Sequence, residues 1–275
     1  MNKKNLLSII ILSTLFLNVT PSFAQDNTNE YKTASTLVRV TTNMFGYNFI
    51  TRHIAQNIIK KDLNKNVKGD YTVKIDSFSG VDLKKGKFRG MIIDGKDLCL
   101  EDSIYFTKLH LETTSNFNYI DYKKKPVVFK TDVPMDYVVE ITEDDLNKTV
   151  EKDNFFNSFS AMIPLVSIDK FKFQLTDNKV RLNTAIRFPF SKSIKFSISG
   201  SPKIEDGKII LTDIQTSGTR HDFSERIANV MNNYNLLENI KLNLFNGTDS
   251  TMTVKNVKVQ DKKICIDGNL VIKKA

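Results

Sequence analysis

Regular alternation of apolar and polar residues constrains the fold of this chain more than any other feature. Tyr71, Val73 and Ile75 are apolar residues at every second position, and 103–114 repeats the pattern with one slip between Phe106 and Leu109. Side chains of a β-strand alternate between its two faces, so this period predicts strands with one face in an apolar core and the other in water. Similar alternation in segments 193–218 and 252–274 extends the pattern towards the end of the chain.

Short turns are predicted to join these strands into hairpins. Asp206-Gly207 is a strong signal for a two-residue hairpin turn, and Asp177-Asn178 and 260–262 are predicted to close two more hairpins. The predicted strands are 71–77, 87–93, 103–114, 126–132, 136–141, 166–176, 179–189, 193–199, 203–206, 208–215, 239–245, 251–259 and 263–273.

Three segments have helical rather than alternating periodicity: 33–64, 142–156 and 222–239. The first carries apolar residues in a stripe broad enough either to pack under a sheet or to lie on a bilayer. In the second, Thr142 is a candidate N-cap, and Asp145 three residues later has the spacing of a capping box with a shorter acid.

The N-terminal residues 1–24 have the pattern of a signal peptide. Two lysines precede the apolar run Leu6–Val19, and Ser22-Phe23-Ala24 offers small residues at the cleavage site. We therefore expect cleavage after Ala24 and export to the periplasm or the medium, with an uncleaved N-terminal anchor as the alternative. Residues 25–275 are predicted to form a single elongated domain, because no linker or change in composition divides them.

The chain is basic, with 40 Lys and Arg against 31 Asp and Glu and a net charge of +9. The charge is spread along the predicted strands rather than collected in one block, and a block is what a nucleic-acid arm would require. A basic exported protein would be attracted to anionic membrane surfaces or acidic polymers, although solubility alone would also explain the charge.

Sequence motifs for catalysis are not found. There is no P-loop, dinucleotide-binding glycine pattern or G-x-S-x-G elbow, and His53, His110 and His221 are scattered. No metal site or cofactor is predicted, and no catalytic residue is assigned. Cys99 and Cys265 could form a disulfide in an exported protein, or remain as two unpaired thiols.

Phenylalanine is abundant, with 19 Phe and 8 Tyr but no Trp. On alternating strands these rings would fill a solid core or line a cavity for an acyl chain, since ligand cavities are mainly apolar. The side chains predicted to line such a cavity are Phe49, Ile50, Ile54, Ile58, Phe155, Phe159, Met162, Phe171, Phe173 and Phe188.

The order of several segments resembles the LmeA-type phospholipid-binding family of secreted bacterial proteins. A helix leads into 72–121, and the strand-to-helix step at 139–150, the hairpin at 203–218 and the strand at 264–272 follow in the family's order. The resemblance implies an α+β, tubular lipid-binding fold, in which a strongly curved antiparallel sheet wraps a long N-terminal helix and two further helices are short. It provides no residue-specific site motif.

These observations together lead to an expected function. We expect a non-enzymatic phospholipid-binding or lipid-transfer protein of the bacterial cell envelope, which holds acyl chains in an apolar groove and contacts an anionic membrane surface. The alternative is an envelope scaffold or adhesin with a solid core that binds protein or polysaccharide. An envelope hydrolase is the least favoured interpretation.

Overall fold

Antiparallel sheets dominate the part of the chain that the structure describes. The computed structural model describes residues 31–36, 38–40, 47–151, 167–187, 192–218, 244–245 and 248–275. The chain divides into two units, Met1–Lys32 and Thr33–Ala275, and the elements below belong to the second.

Thirteen strands are found among the described residues, and all of the pairs between them are antiparallel. They are β1 (Val67–Asp76), β2 (Lys87–Phe88), β3 (Gly90–Leu100), β4 (Ile104–Thr113), β5 (Asn118–Asp121), β6 (Val128–Phe129), β7 (Val133–Thr142), β8 (Ser167–Thr176), β9 (Lys179–Arg187), β10 (Ile194–Glu205), β11 (Lys208–Ser217), β12 (Ser250–Gln260) and β13 (Lys263–Ile272). The helices with described bounds are α1 (Tyr47–Leu63), α2 (Gly80–Lys84) and α3 (Glu143–Val150).

The strands form three sheets. A six-stranded sheet has the order β1-β3-β4-β7-β13-β12, a four-stranded sheet the order β11-β10-β9-β8, and a small sheet the order β2-β5-β6. In the largest sheet β13 pairs with β7, so the C-terminal hairpin completes a sheet that the first half of the chain begins. The main core lies against one face of this sheet and includes residues of α1, α2 and the small sheet.

The slip in the alternation has a structural cause that two neighbouring strands share. Lys96 pairs with Lys108 and Leu98 with Phe106, and the intervening residues Asp97 and Thr107 are not paired. Asp97 has a positive φ of 50°. Because this irregularity occurs at the same level in β3 and β4, Leu98 and Phe106 both return to the buried face.

The Thr107 side chain, which lies at this irregularity, forms a hydrogen bond with the first turn of α3. Its hydroxyl donates to the Asp145 carboxylate, which also accepts from the Thr142 backbone N–H at 3.0 Å. The Asp145 N–H donates back to the Thr142 hydroxyl at 3.2 Å, which completes the capping box expected from the sequence. The start of α3 is therefore fixed to both β4 and β7.

Side chains of α3 also form hydrogen bonds with backbone N–H and carbonyl groups on the outer edge of β8. The Asn147 amide accepts from the Phe173 N–H at 2.7 Å and donates to the Phe173 carbonyl at 3.2 Å. One turn earlier, Glu143 accepts from the Leu175 N–H at 2.8 Å. Residues four apart on a helix share a face, so two side chains occupy the backbone groups that an additional strand would otherwise bond.

Several local predictions from the sequence are confirmed. Asp206-Gly207 forms its hairpin turn with φ values of 50° and 72°, and Asp261-Lys262 does so with 53° and 59°. The positive φ values at both central positions match the turns that suit the right-handed twist of paired strands. Asn178 likewise has a φ of 59° in the β8–β9 hairpin.

Other predictions differ from the structure in their bounds. The predicted strands 193–199 and 203–206 form one strand, β10, whose register shifts between Ser199 and Ser201. The short elements α2 and β5 were not expected, and only 128–129 of the predicted strand 126–132 is a strand. Residues 152–156, the helix 222–239 and most of the strand 239–245 lie outside the described residues.

The antiparallel α+β character expected from the sequence is confirmed at this coarse level. The tubular details are not shown: α1 has 17 residues, and the six-stranded sheet is open, with β1 and β12 at its edges. α1 packs against β1 and α2.

We predict that Asn147→Ala lowers the free energy of unfolding by about 1–3 kcal/mol, because two hydrogen bonds worth about 0.5–1.5 kcal/mol each are lost. Urea unfolding of the two proteins measures this difference. Lys148→Ala, an exposed change on the same helix, is the control and should stay within about 0.5 kcal/mol of wild type. Equal effects of the two changes would contradict the role of Asn147.

Asp145 should make stability depend on pH. Burial acts to raise the pKa of its carboxyl group, but hydrogen bonds from Thr107 and Thr142 outweigh burial and lower it. The stability gained from the carboxylate is therefore present above the unfolded pKa of about 3.9 and is lost as the pH falls through the lower folded value.

We accordingly predict that Asp145→Asn is less stable than wild type at neutral pH and that the difference shrinks as the pH falls below about 4. Chemical unfolding of both proteins across this range measures the difference. Asp144→Asn controls for removing an exposed acid from the first turn of the same helix. A difference that stays constant with pH would show that the hydrogen bonds do not depend on the charge of Asp145.

Candidate functional site

One face of α1 exposes large apolar side chains to solvent. Phe49 is 76% exposed, Ile50 60% and Ile54 52%. With 3.6 residues per turn, these three positions fall within an arc of about 140°. We call Phe49, Ile50 and Ile54 the apolar face of α1.

The opposite side of α1 holds the helix on the fold. Thr51, Ala55 and Ile59 are buried, and the last two belong to the main core. Near the end of the helix the Tyr71 hydroxyl donates to the Lys60 carbonyl at 2.8 Å, and burial raises the pKa of Tyr71 to about 12. The apolar face therefore points away from a side that is already packed.

The far end of the exposed side is basic. Lys60 and Lys61 are exposed in the last turn, where positive charge suits the helix dipole. The Lys60 ammonium lies 5.3 Å from the centre of the Tyr71 ring. The exposed side of α1 thus changes from apolar near its start to basic near its end.

The side chains predicted to line an acyl-chain cavity are not brought together by the described residues. Phe49, Ile50 and Ile54 are exposed, whereas Ile58 is partly buried against the main core. Phe173 is half-buried on β8, in the four-stranded sheet. The side chains of Phe155, Phe159, Met162, Phe171 and Phe188 lie outside the described residues.

A groove of about 800 Å³ lies between α3 and the four-stranded sheet. None of the described residues that line it is among the side chains predicted from the sequence to line an acyl-chain cavity. α3 and Glu151 directly after it contribute two acids and an amide, and the sheet contributes two lysines and several hydroxyl groups. The lining residues are Asp144, Asn147, Glu151, Lys172, Asn183, Thr184, Ala185, Lys195, Phe196, Ser197 and Ser217.

A group of lysines near α2 was missed by the sequence analysis. Lys84 and Lys85 at the end of α2 and Lys123–Lys125 between β5 and β6 are all exposed. The sequence pattern indicates basic charge spread along the strands, although Lys84-Lys85 and Lys123–Lys125 form two short runs. Only the fold shows that the segments carrying the two runs are in contact, and we call these five residues the lysine cluster.

The described histidines have structural or solvent-facing surroundings. His110 Nδ1 lies 2.7 Å from Asp94 on the neighbouring strand, and Glu112 lies 3.7 Å from its Nε2. His53 is exposed on α1, and His221 lies outside the described residues. Within the described ranges, no group of three or more His, Cys, Asp or Glu is placed to hold a metal ion.

Both cysteines are free thiols. Cys99 lies on β3 and Cys265 on β13, and the order of the sheet places β4 and β7 between them. Neighbouring strands are about 4.8 Å apart, so this separation exceeds the Cα distance of about 7 Å that a disulfide allows. The disulfide considered from the sequence is therefore not formed. Burial, followed by the charge of Glu140, raises the pKa of the Cys265 thiol.

Comparison of the chain with protein-family models, curated proteins and solved structures gives no match. The resemblance to the LmeA-type family therefore stays a prediction from the sequence. Among the described helices, none has the length and apolar character needed to cross a membrane.

Proposed function

We propose that this protein is an exported, non-enzymatic phospholipid-binding protein of the cell envelope, which docks on the bilayer with the apolar face of α1. The observation that carries the proposal is the exposure of Phe49, Ile50 and Ile54 together on one helix. Signal-peptide cleavage after Ala24 and envelope localisation are parts of the same proposal.

The exposed area is concentrated rather than scattered. Single exposed apolar residues are common on protein surfaces, whereas adjacent ones point to an interaction. On the strands, by comparison, Val138 and Ile194 are each 39% exposed and belong to different sheets. Full burial of a Phe or Ile side chain is worth about 1.5–3 kcal/mol, so three such side chains offer a substantial driving force for binding.

A lipid bilayer matches both parts of the exposed side of α1. A helix lying at the interface buries its apolar residues at the boundary between headgroups and acyl chains. Lys60 and Lys61 can meanwhile extend their ammonium groups to phosphates, since their methylene stems tolerate an apolar environment. The net charge of the full chain is +9, and the +7 that remains after removal of Lys3 and Lys4 with the signal peptide adds a general attraction to anionic membranes.

Transfer of single lipids extends this proposal. In a tubular arrangement, a curved sheet would wrap an N-terminal helix and hold acyl chains between them. This tubular arrangement is supported by the family resemblance together with the Phe-rich segment 155–190. Docking through α1 would then bring such a cavity to the membrane.

Native mass spectrometry of the protein purified from an expressing cell tests the transfer component. We expect a mass increment equal to one phospholipid, and lipid extraction would identify its class. A protein that remains lipid-free after incubation with vesicles would restrict the function to docking on a surface.

Docking is tested by co-sedimentation with vesicles of equimolar phosphatidylcholine and phosphatidylglycerol. We predict that Phe49→Asp weakens binding by roughly tenfold or more, because about 1.4 kcal/mol corresponds to a factor of ten and the burial of a Phe exceeds this value. Ile50→Asp should act in the same direction.

Ile194→Asp is the matched control, since it places the same charge at an exposed apolar residue on the four-stranded sheet. Measured masses confirm that all of the proteins share one N-terminus. If Phe49→Asp and Ile50→Asp bind vesicles as tightly as Ile194→Asp does, the apolar face of α1 is not the docking surface.

A further inference from the structure

We infer that the lysine cluster, Lys84, Lys85 and Lys123–Lys125, binds the anionic headgroups of the bilayer on which α1 docks. The inference rests on the proposed function and deepens it by naming the lipid class.

Two hydrogen bonds connect the segments that carry the two lysine runs. The Tyr122 hydroxyl donates to the Leu83 carbonyl at 2.7 Å, and the Ile120 N–H donates to the Gly86 carbonyl at 3.0 Å. Gly86 has a φ of 88°, and a Cβ there would lie 1.7 Å from the Ile120 carbonyl oxygen. Only glycine permits this close approach, which places the end of α2 against the strand that leads into Lys123–Lys125.

The same region is joined to the start of α1. The Gly80 N–H at the start of α2 donates to the Asn48 side chain, and a Cβ on Gly80 would lie 2.6 Å from the Tyr47 ring. Burial raises the pKa of Tyr122 to about 12, and the nearby Tyr47 phenol adds to this rise. Tyr47 precedes Phe49 by two residues, so the cluster lies beside the apolar end of α1.

The charges of the cluster are not neutralised locally. Within the described part of the chain, none of its five lysines forms an ion pair. The nearby acid Asp82 is buried and engaged by Ser79 and Arg39, with its Oδ2 3.4 Å from Arg39 Nε. Asp121 accepts from the Lys123 backbone N–H at 3.2 Å.

The pairing of this charge with exposed apolar side chains favours a membrane over other polyanions. A nucleic acid or an acidic polymer would satisfy the lysines but would leave Phe49 and Ile50 in water. An anionic bilayer offers phosphates to the lysines and an apolar interior to α1. We therefore assign the cluster to anionic phospholipid headgroups at a bilayer surface.

The test compares vesicles of phosphatidylcholine alone with vesicles of equimolar phosphatidylcholine and phosphatidylglycerol. The triple variant Lys123→Gln, Lys124→Gln, Lys125→Gln should bind anionic vesicles on the order of a hundredfold more weakly, at about fivefold per lysine. Its binding to neutral vesicles should be unchanged. In 1 M salt, where the screening length is about 3 Å, wild type should lose its preference for anionic vesicles.

A second variant and a control guard against indirect effects. Lys84→Gln with Lys85→Gln changes the other half of the cluster and should weaken anionic binding by roughly 25-fold. The triple variant Lys203→Gln, Lys208→Gln, Lys262→Gln removes the same net charge from exposed residues of the β10–β11 and β12–β13 hairpins. It should bind as wild type does to within about twofold, because screening limits distant charges.

The outcomes separate this inference from the proposed function. Cluster variants that bind anionic vesicles like the hairpin control would overturn the inference, and weakened binding by Phe49→Asp would still support the proposed function. Weak binding by the cluster variants with no effect of Phe49→Asp would overturn the proposed function, and with it the bilayer assignment. Soluble polyphosphate that binds as tightly as anionic vesicles would also overturn the bilayer assignment.

Discussion

The hydrogen bond from Thr107 to Asp145 connects the largest sheet to the helix that supports the second one. It exists because β3 and β4 interrupt their alternation at the same level, which directs Thr107 towards α3. The capping box then fixes the start of α3, and its next residues bond the edge of β8. The backbone irregularity thus helps to connect β4, β7 and α3, because the carboxylate of Asp145 accepts hydrogen bonds from two strands at once.

Features of the fold that depend on residues close together in the sequence could be predicted, whereas features that depend on contacts between distant residues could not. The strands and their turns follow from local alternation and from residues such as Asn178 and Gly207 that tolerate positive φ. The capping box is equally local. The elements α2 and β5 escaped prediction, because five and four residues are too few to show a period. Their positions depend on contacts between Leu83 and Tyr122, which are distant in sequence.

The candidate site likewise combines residues that local sequence patterns identify with an arrangement that only long-range contacts determine. The sequence identified Phe49, Ile50 and Ile54 as candidates, but it placed them in a cavity because α1 is apolar on more than one side. Periodicity cannot tell which side is covered; only the packing of Ala55 and Ile59 against the core settles this for the described residues. The lysine cluster was missed for a related reason, since its two runs are almost 40 residues apart.

The two parts of the proposed surface act at different distances, and this difference implies an order of events. Charge attracts over about 10 Å at an ionic strength of 0.1 M, whereas apolar burial contributes only on contact. The lysine cluster would therefore act first, during approach, and would turn the start of α1 towards the headgroups. Burial of Phe49 and Ile50 would follow and would mainly slow dissociation. On this basis salt should affect the association rate more than the dissociation rate, as it does for electrostatically steered complexes.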